Sequence, residues 1–456
     1  MNRTSAIFIV AAILTLVAVV LGRGKEDPSP KVPGIRVSSG TLGLAALPST
    51  SHVRQGGNGE VFLDINLAAP ATQHVKRLPL NIGLVIDRSG SMAGQKLANA
   101  REAATQLVSR LRDGDRIAIV TYGSDVTVLV PSTVVDTESR ATMINSISTI
   151  VDRGGTFLSG GLERGREQVL RHGRNGFVNR VILISDGQAN EGITSPGELS
   201  ALSRATLGQG VNVTTMGVGL DFNEEVMTAM AEHGGGHYYF IQNSSAMARF
   251  FTEELDTMTA VVARTATMQL DLEPGVELLD LYGYAFEQQG RTVRVNLPDL
   301  FSGQTRRIIC HLRVPAGREG KVTVGQVKLS YVDVDSGRSE SVTGEAQVAV
   351  TSDDALVERG KDREVLARAE QVQAAATMNQ AMKAYADGDV AGSQRLLRRQ
   401  IARTRSANAL LKDKALDEVT RVLEGQVIGT TNAPPSSSAG RALIKSGKYR
   451  AYKLGK

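Results

Sequence analysis

One cysteine, no tryptophan and an aromatic share of 4% are the sparsest features of this 456-residue chain. A lone Cys310 excludes an intramolecular disulfide and any cysteine-based zinc site. Alternation sets Cys310 beside Ile308 and Leu312, so it is read as a buried strand residue and not a reactive thiol. Charge of one sign is also lacking: 52 Lys and Arg against 47 Asp and Glu leave a net +5, which gives no ground for nucleic-acid binding. Long apolar runs are absent but for residues 6–21, which follow Met1-Asn2-Arg3 and precede Gly22-Arg23-Gly24-Lys25. Such a basic-flanked run is an export segment, so residues 1–22 are read as a signal peptide or membrane anchor. No small-x-small cleavage site closes it, which favours the anchor. The remainder is then expected outside the cytoplasm, in the periplasm or on the cell surface.

What is present in quantity is apolar surface, 41% of residues, enough for two or three domains. The informative stretch is Leu80-Asn81-Ile82-Gly83-Leu84-Val85-Ile86-Asp87-Arg88-Ser89-Gly90-Ser91-Met92. It opens as a continuous apolar run, the mark of a strand buried on both faces of a parallel sheet. It closes with one carboxylate and two hydroxyls at alternate positions. In an open α/β sheet, ligands bind at the carboxyl ends of strands. Hard oxygens there suit Mg²⁺, Mn²⁺ or Ca²⁺ and not zinc.

Asp87-x-Ser89-x-Ser91 after such a strand resembles the metal-ion-dependent adhesion site of von Willebrand factor type A domains. Two further segments recur in the family's order. Gly154-Gly155-Thr156 resembles the loop that supplies a threonine ligand, and residues 181–187 resemble the strand that ends in an aspartate, here Asp186. The resemblance implies a metal set of Asp87, Ser89, Ser91, Thr156 and Asp186, with one aspartate acting through water. It also implies a partner protein that offers an Asp or Glu carboxylate to the ion. Arg88 stands where it would favour such an acidic ligand.

The expected fold class is α/β, a doubly wound and mostly parallel sheet inserted in a flanking β-sandwich, with an α-helical appendage. After a proline-bearing linker (23–35), residues 36–77 carry the first sandwich strands. Val61, Leu63, Ile65 and Leu67 alternate onto one face. Regular α/β alternation fills 78–256. Short strands with turn signals return over 260–351 and would pair with the first ones. Residues 353–427 have helix propensity and no proline, with a turn at Asp387-Gly388-Asp389. The stretch 430–456 begins with prolines and serines and ends with six basic residues and no acid after residue 440; it is read as a flexible basic tail.

An enzyme is the competing reading, a metal-dependent hydrolase or phosphotransferase using the same acids. The sequence argues against it. Asp87-Arg88-Ser89 lacks the second aspartate of haloacid-dehalogenase-type phosphatases, residues 90–96 miss the P-loop spacing, and no Gly-x-Ser-x-Gly occurs. His233-Gly234-Gly235-Gly236-His237 invites zinc, but three glycines break the helix that would align the rings, so a turn is expected.

Overall fold

All eight residues of the Leu80–Asp87 strand are buried. The cause lies in its neighbours. In the computed structural model, which describes residues 35–39, 41–71, 77–173 and 176–456, it pairs in parallel with Arg116–Tyr122 on one side and Val178–Ser185 on the other. Asn212–Val218 and Gly235–Ile241 extend the sheet beyond Val178–Ser185, and Val126–Val134 closes the opposite edge as its one antiparallel strand. Strand order therefore reverses between Leu80–Asp87 and Val178–Ser185, which opens a crevice above their carboxyl ends.

Helices cover both faces. Gln95–Arg110, Thr137–Ser148 and Met247–Thr259 pack on one side through Leu97, Leu107, Met143 and Phe251. Leu158–Leu170, Pro196–Gly208 and Glu224–His233 pack on the other through Leu162, Leu199 and Met230. The Leu158–Leu170 helix lies unusually close to the central strand. A Cβ at Gly165 would stand 2.5 Å from Val85 Cγ2, so a side chain there would push helix and sheet apart.

The flanks form the expected sandwich. Glu60–Ala68 pairs antiparallel with Thr305–Arg313 along nine residues, from Glu60 opposite Arg313 to Ala68 opposite Thr305. Chain on either side of the α/β unit thus meets in one sheet, joined by Leu42–Pro48 and Glu277–Tyr282. Val261–Leu272, Gly320–Asp333 and Ser339–Thr351 build the facing sheet, to which His52–Arg54 adds a short parallel strand. Val61, Leu63, Ile65 and Leu67 enter the shared core as the alternation predicts, with Met268, Leu270, Leu329 and Cys310. Burial pushes the Cys310 thiol up to about 12, which keeps it unreactive.

The outer face of the first sheet is covered by the Arg363–Ala386 helix, against Phe62, Tyr282 and Ile309. It forms a hairpin with Val390–Leu411, followed by Lys414–Asn432. The flexible basic tail is not what the structure shows. Ser438–Gly455 is a helix, capped by Ser437 and packed on Arg363–Ala386. Its Tyr449 and Tyr452 stack edge-on against Tyr238 in the α/β unit, and Lys445 Nζ donates to the Phe222 carbonyl at 2.8 Å. The positive charges that suggested a solvated segment are partly spent on acids and rings: Arg441 pairs with Asp221, and Lys456 lies over Tyr284. The apolar N-terminal segment and its linker lie outside the described residues. Among the described residues, no helix is long and apolar enough to cross a membrane.

Candidate metal centre

The strand delivers Asp87 to the crevice with its carboxylate fully buried. Two groups fix it there: the Ser89 N–H donates to Oδ1 and the Ser185 hydroxyl to Oδ2, each at 2.8 Å. The chain then turns through a short 3₁₀ segment, Gly90–Met92, so Ser89 and Ser91 face the same side, their hydroxyl oxygens 3.1 Å apart. Ser91 donates to Asp186 Oδ1 at 2.7 Å, bringing the end of Val178–Ser185 into the cluster.

Thr156 arrives on a loop that folds over this turn. Gly154 adopts a φ of +79°, and a Cβ there would meet Ser124 at 2.8 Å, so only glycine lets the loop descend. Gly90 N–H donates to the Gly154 carbonyl at 3.1 Å, and Asn190 Oδ1 accepts the Thr156 N–H at 2.8 Å. Across the cluster stands Gly187. A Cβ there would come within 3.2 Å of the Ser91 hydroxyl and 3.4 Å of the Thr156 hydroxyl. Its absence leaves a hollow bordered by both oxygens.

All five predicted residues are therefore brought to one place: two carboxylates and three hydroxyls, every donor a hard oxygen. Among the described residues, no three His, Cys, Asp or Glu side chains group as a metal site. The Gly187 hollow and the oxygen-only donors fit Mg²⁺ or Mn²⁺ better than a softer ion. Burial, opposed by the Ser89 and Ser185 hydrogen bonds and with the negative charge of Asp186 adding to it, pushes the Asp87 carboxyl up to about 6, so a cation beside it would favour the charged carboxylate.

Arg88 is not that cation. Its guanidinium turns away and bonds both oxygens of Asp125, at 2.6 and 2.7 Å, which corrects the expectation that it stands ready for an acidic ligand. The cation that does reach the cluster is Lys96, on Asp186. Sequence reasoning missed Lys96, Ser185 and Asn190 as participants. Their roles arise from contacts between segments 34–98 residues apart, and no local pattern announces them. The two histidines are not brought together as ligands. His233 ends a helix and bonds the Ala229 carbonyl, whereas His237, in the next strand, bonds buried Glu254.

Residues 81–253 match the family model of the von Willebrand factor type A domain. The chain is 28% identical over 311 residues to the uncharacterized protein sll0103 of Synechocystis, covering 65% of this chain and 72% of that one. It is 31% identical over 196 residues to the uncharacterized Escherichia coli protein YfbK, covering 42% of this chain and 34% of that one, so it spans about a third of YfbK. The solved von Willebrand factor type A structure from Catenulispora acidiphila superposes with a TM-score of 0.71 over 91% of this chain and 98% of its own, at 18% identity. That likeness is one of fold.

Proposed function

Because this chain carries a von Willebrand factor type A domain, we propose that it is an extracytoplasmic protein-binding module. It captures an acidic side chain of another protein at a divalent ion and leaves that side chain chemically unchanged. The observation that carries this reading is the convergence of Asp87, Ser89, Ser91, Thr156 and Asp186 at the carboxyl ends of two neighbouring strands. A divalent ion bound there supplies a Lewis-acidic position for an incoming carboxylate.

The chain's own groups do the rest. Asp87 and Asp186 are the only anions of the set, and three neutral hydroxyls leave the ion's charge incompletely balanced. Ser89 N–H and Ser185 hold Asp87, and Asn190 holds the Thr156 loop, so the oxygens are fixed before a partner arrives. The donor set contains no histidine or cysteine. Ser91 donates to Asp186, whose carboxylate is already paired with Lys96, and among the described residues no histidine stands beside either to form a Ser–His relay. The export segment supports the extracytoplasmic placement.

The test is capture by the full-length chain from the source cell envelope. A specific partner should bind in Mg²⁺ or Mn²⁺, be lost in EDTA and in Asp87→Ala, and be lost when one Asp or Glu of that partner becomes its amide. Capture that survives chelation and Asp87→Ala would refute the reading, as would Asp87-dependent turnover of a phosphoester or peptide.

A further inference from the structure

Lys96 is the one cationic side chain that contacts the cluster among the described residues, and it does so from an unfavourable position. It is the second residue of the Gln95–Arg110 helix, where the backbone N–H groups already concentrate positive charge. A lysine is disfavoured there unless something else holds it. Its Nζ donates to Asp186 Oδ2 and to the Ser91 carbonyl, the latter at 3.2 Å. Both belong to residues of the metal set. The Asp186 side chain is fully buried, whereas that of Lys96 remains 30% exposed. The anion is fixed and the cation has a path to solvent. Near its ammonium lies Gly219, where a Cβ would stand 3.5–3.6 Å from the end of the lysine, so that side is lined by a residue with no side chain.

Resting on the metal-binding reading above, we propose that Lys96 is a tethered competitor of the divalent ion, sharing the Asp186 carboxylate with it and setting the ion concentration at which the module becomes competent to bind. The physics is direct. Ammonium and divalent ion seek the same carboxylate, and like charges held close in a partly buried cluster repel. The lysine is attached to the fold, so it stays at high local concentration whatever the medium contains. Ion binding must displace its ammonium, and by linkage the ammonium must weaken ion binding equally. A partner carboxylate relieves the conflict by adding negative charge. Ion and partner should therefore bind cooperatively, with the ion alone held weakly.

Two measurements on the full-length chain test this. Calorimetric titration with Mg²⁺ and Mn²⁺ compares wild type with Lys96→Met, which keeps the apolar stem and removes the charge. The expected result is binding tightened about tenfold, a typical strength for coupled sites. The second is amine footprinting of wild type with and without saturating Mg²⁺. Lys96 should become more reactive as its ammonium is displaced, while exposed Lys321 stays constant. Equal or weaker ion affinity in Lys96→Met overturns the proposal. Should that variant fail to fold, the wild-type footprint decides: a rise supports competition and no change refutes it. If neither protein takes up an ion, the metal-binding reading itself falls and the competition with it. If both bind with the same affinity, only the competition is wrong.

Discussion

Replacing Glu254 with glutamine should cost this protein about 3 kcal/mol. Glu254 is fully buried on the Met247–Thr259 helix, and its two oxygens bond Arg180 Nη1, Thr214 Oγ1 at 2.6 Å, Tyr239 Oη at 2.8 Å and His237 Nδ1 at 3.0 Å. Burial would raise its pKa, but the Arg180 guanidinium and His237 outweigh it and hold the carboxyl far below the usual range. It is therefore ionised at neutral pH. Arg180 is itself 2% exposed, and its other anion is Asp299 of the sandwich, at 3.3 Å. Removing one partner of a buried pair costs about 3–5 kcal/mol, because the remaining charge is left in low dielectric. Asp299 remains, so the lower end applies. The amide preserves shape, so little of the loss comes from a cavity.

Urea unfolding of the full-length chain at pH 7 measures it. With a slope of about 1–3 kcal/mol per molar, the midpoint should fall by about 1 M or more. A single variant within 0.5 kcal/mol of wild type would refute the view that this pair depends on both charges.

Two other perturbations probe different parts of the fold. Gly165→Ala places a methyl against Val85, so it should destabilise by about 1–3 kcal/mol despite alanine's better helix propensity, with partial rescue by Val85→Ala in the same unfolding assay. Glu224 has its carboxyl pushed up by burial from the ordinary 4.5 to about 7, against the pull of Lys448 and Lys445. The folded state holds that proton more tightly than the unfolded state, so stability is lost as pH rises from 4.5 through 7. Glu224→Gln should therefore gain on wild type between pH 5 and pH 8, by up to about 3 kcal/mol; a pH-independent difference would contradict the shift.

Much of this arrangement could be read from local pattern, and what could not has identifiable causes. The 80–87 run announced a central strand because burial on both faces leaves no polar alternation to confuse it with a surface strand. The 60–67 alternation announced a one-sided strand, and its second face held a surprise only in Asp64, which is buried against Arg307 under a helix. That Asp87, Ser89, Ser91 and Asp186 would come together was legible because each lies at or just after the end of a buried strand, whereas Thr156, in a loop between two helices, was legible only through its Gly154-Gly155-Thr156 segment. Lys96 was not, because a lysine in a helix's first turn reads as solvent-exposed until the fold brings Asp186 to it. The last helix was missed for a related reason. Six basic residues and no acid suggested a solvated tail, yet Gly440, Gly447, Ala451 and Gly455 recur at helical spacing and are all buried. That stripe of small residues lets the helix approach closely, and it was the one signal in the segment that pointed to packing.

The central claim is that Asp87, Ser89, Ser91, Thr156 and Asp186 hold a divalent ion. The most direct measurement is a crystal structure of the full-length chain grown with Mn²⁺, located by manganese anomalous scattering. The predicted result is a single strong peak bonded to the Ser89, Ser91 and Thr156 hydroxyls, absent from Asp87→Ala crystals, with the Lys96 ammonium moved off Asp186. A map with no peak there at millimolar Mn²⁺, or with the ion bound elsewhere and unaffected by Asp87→Ala, would contradict it.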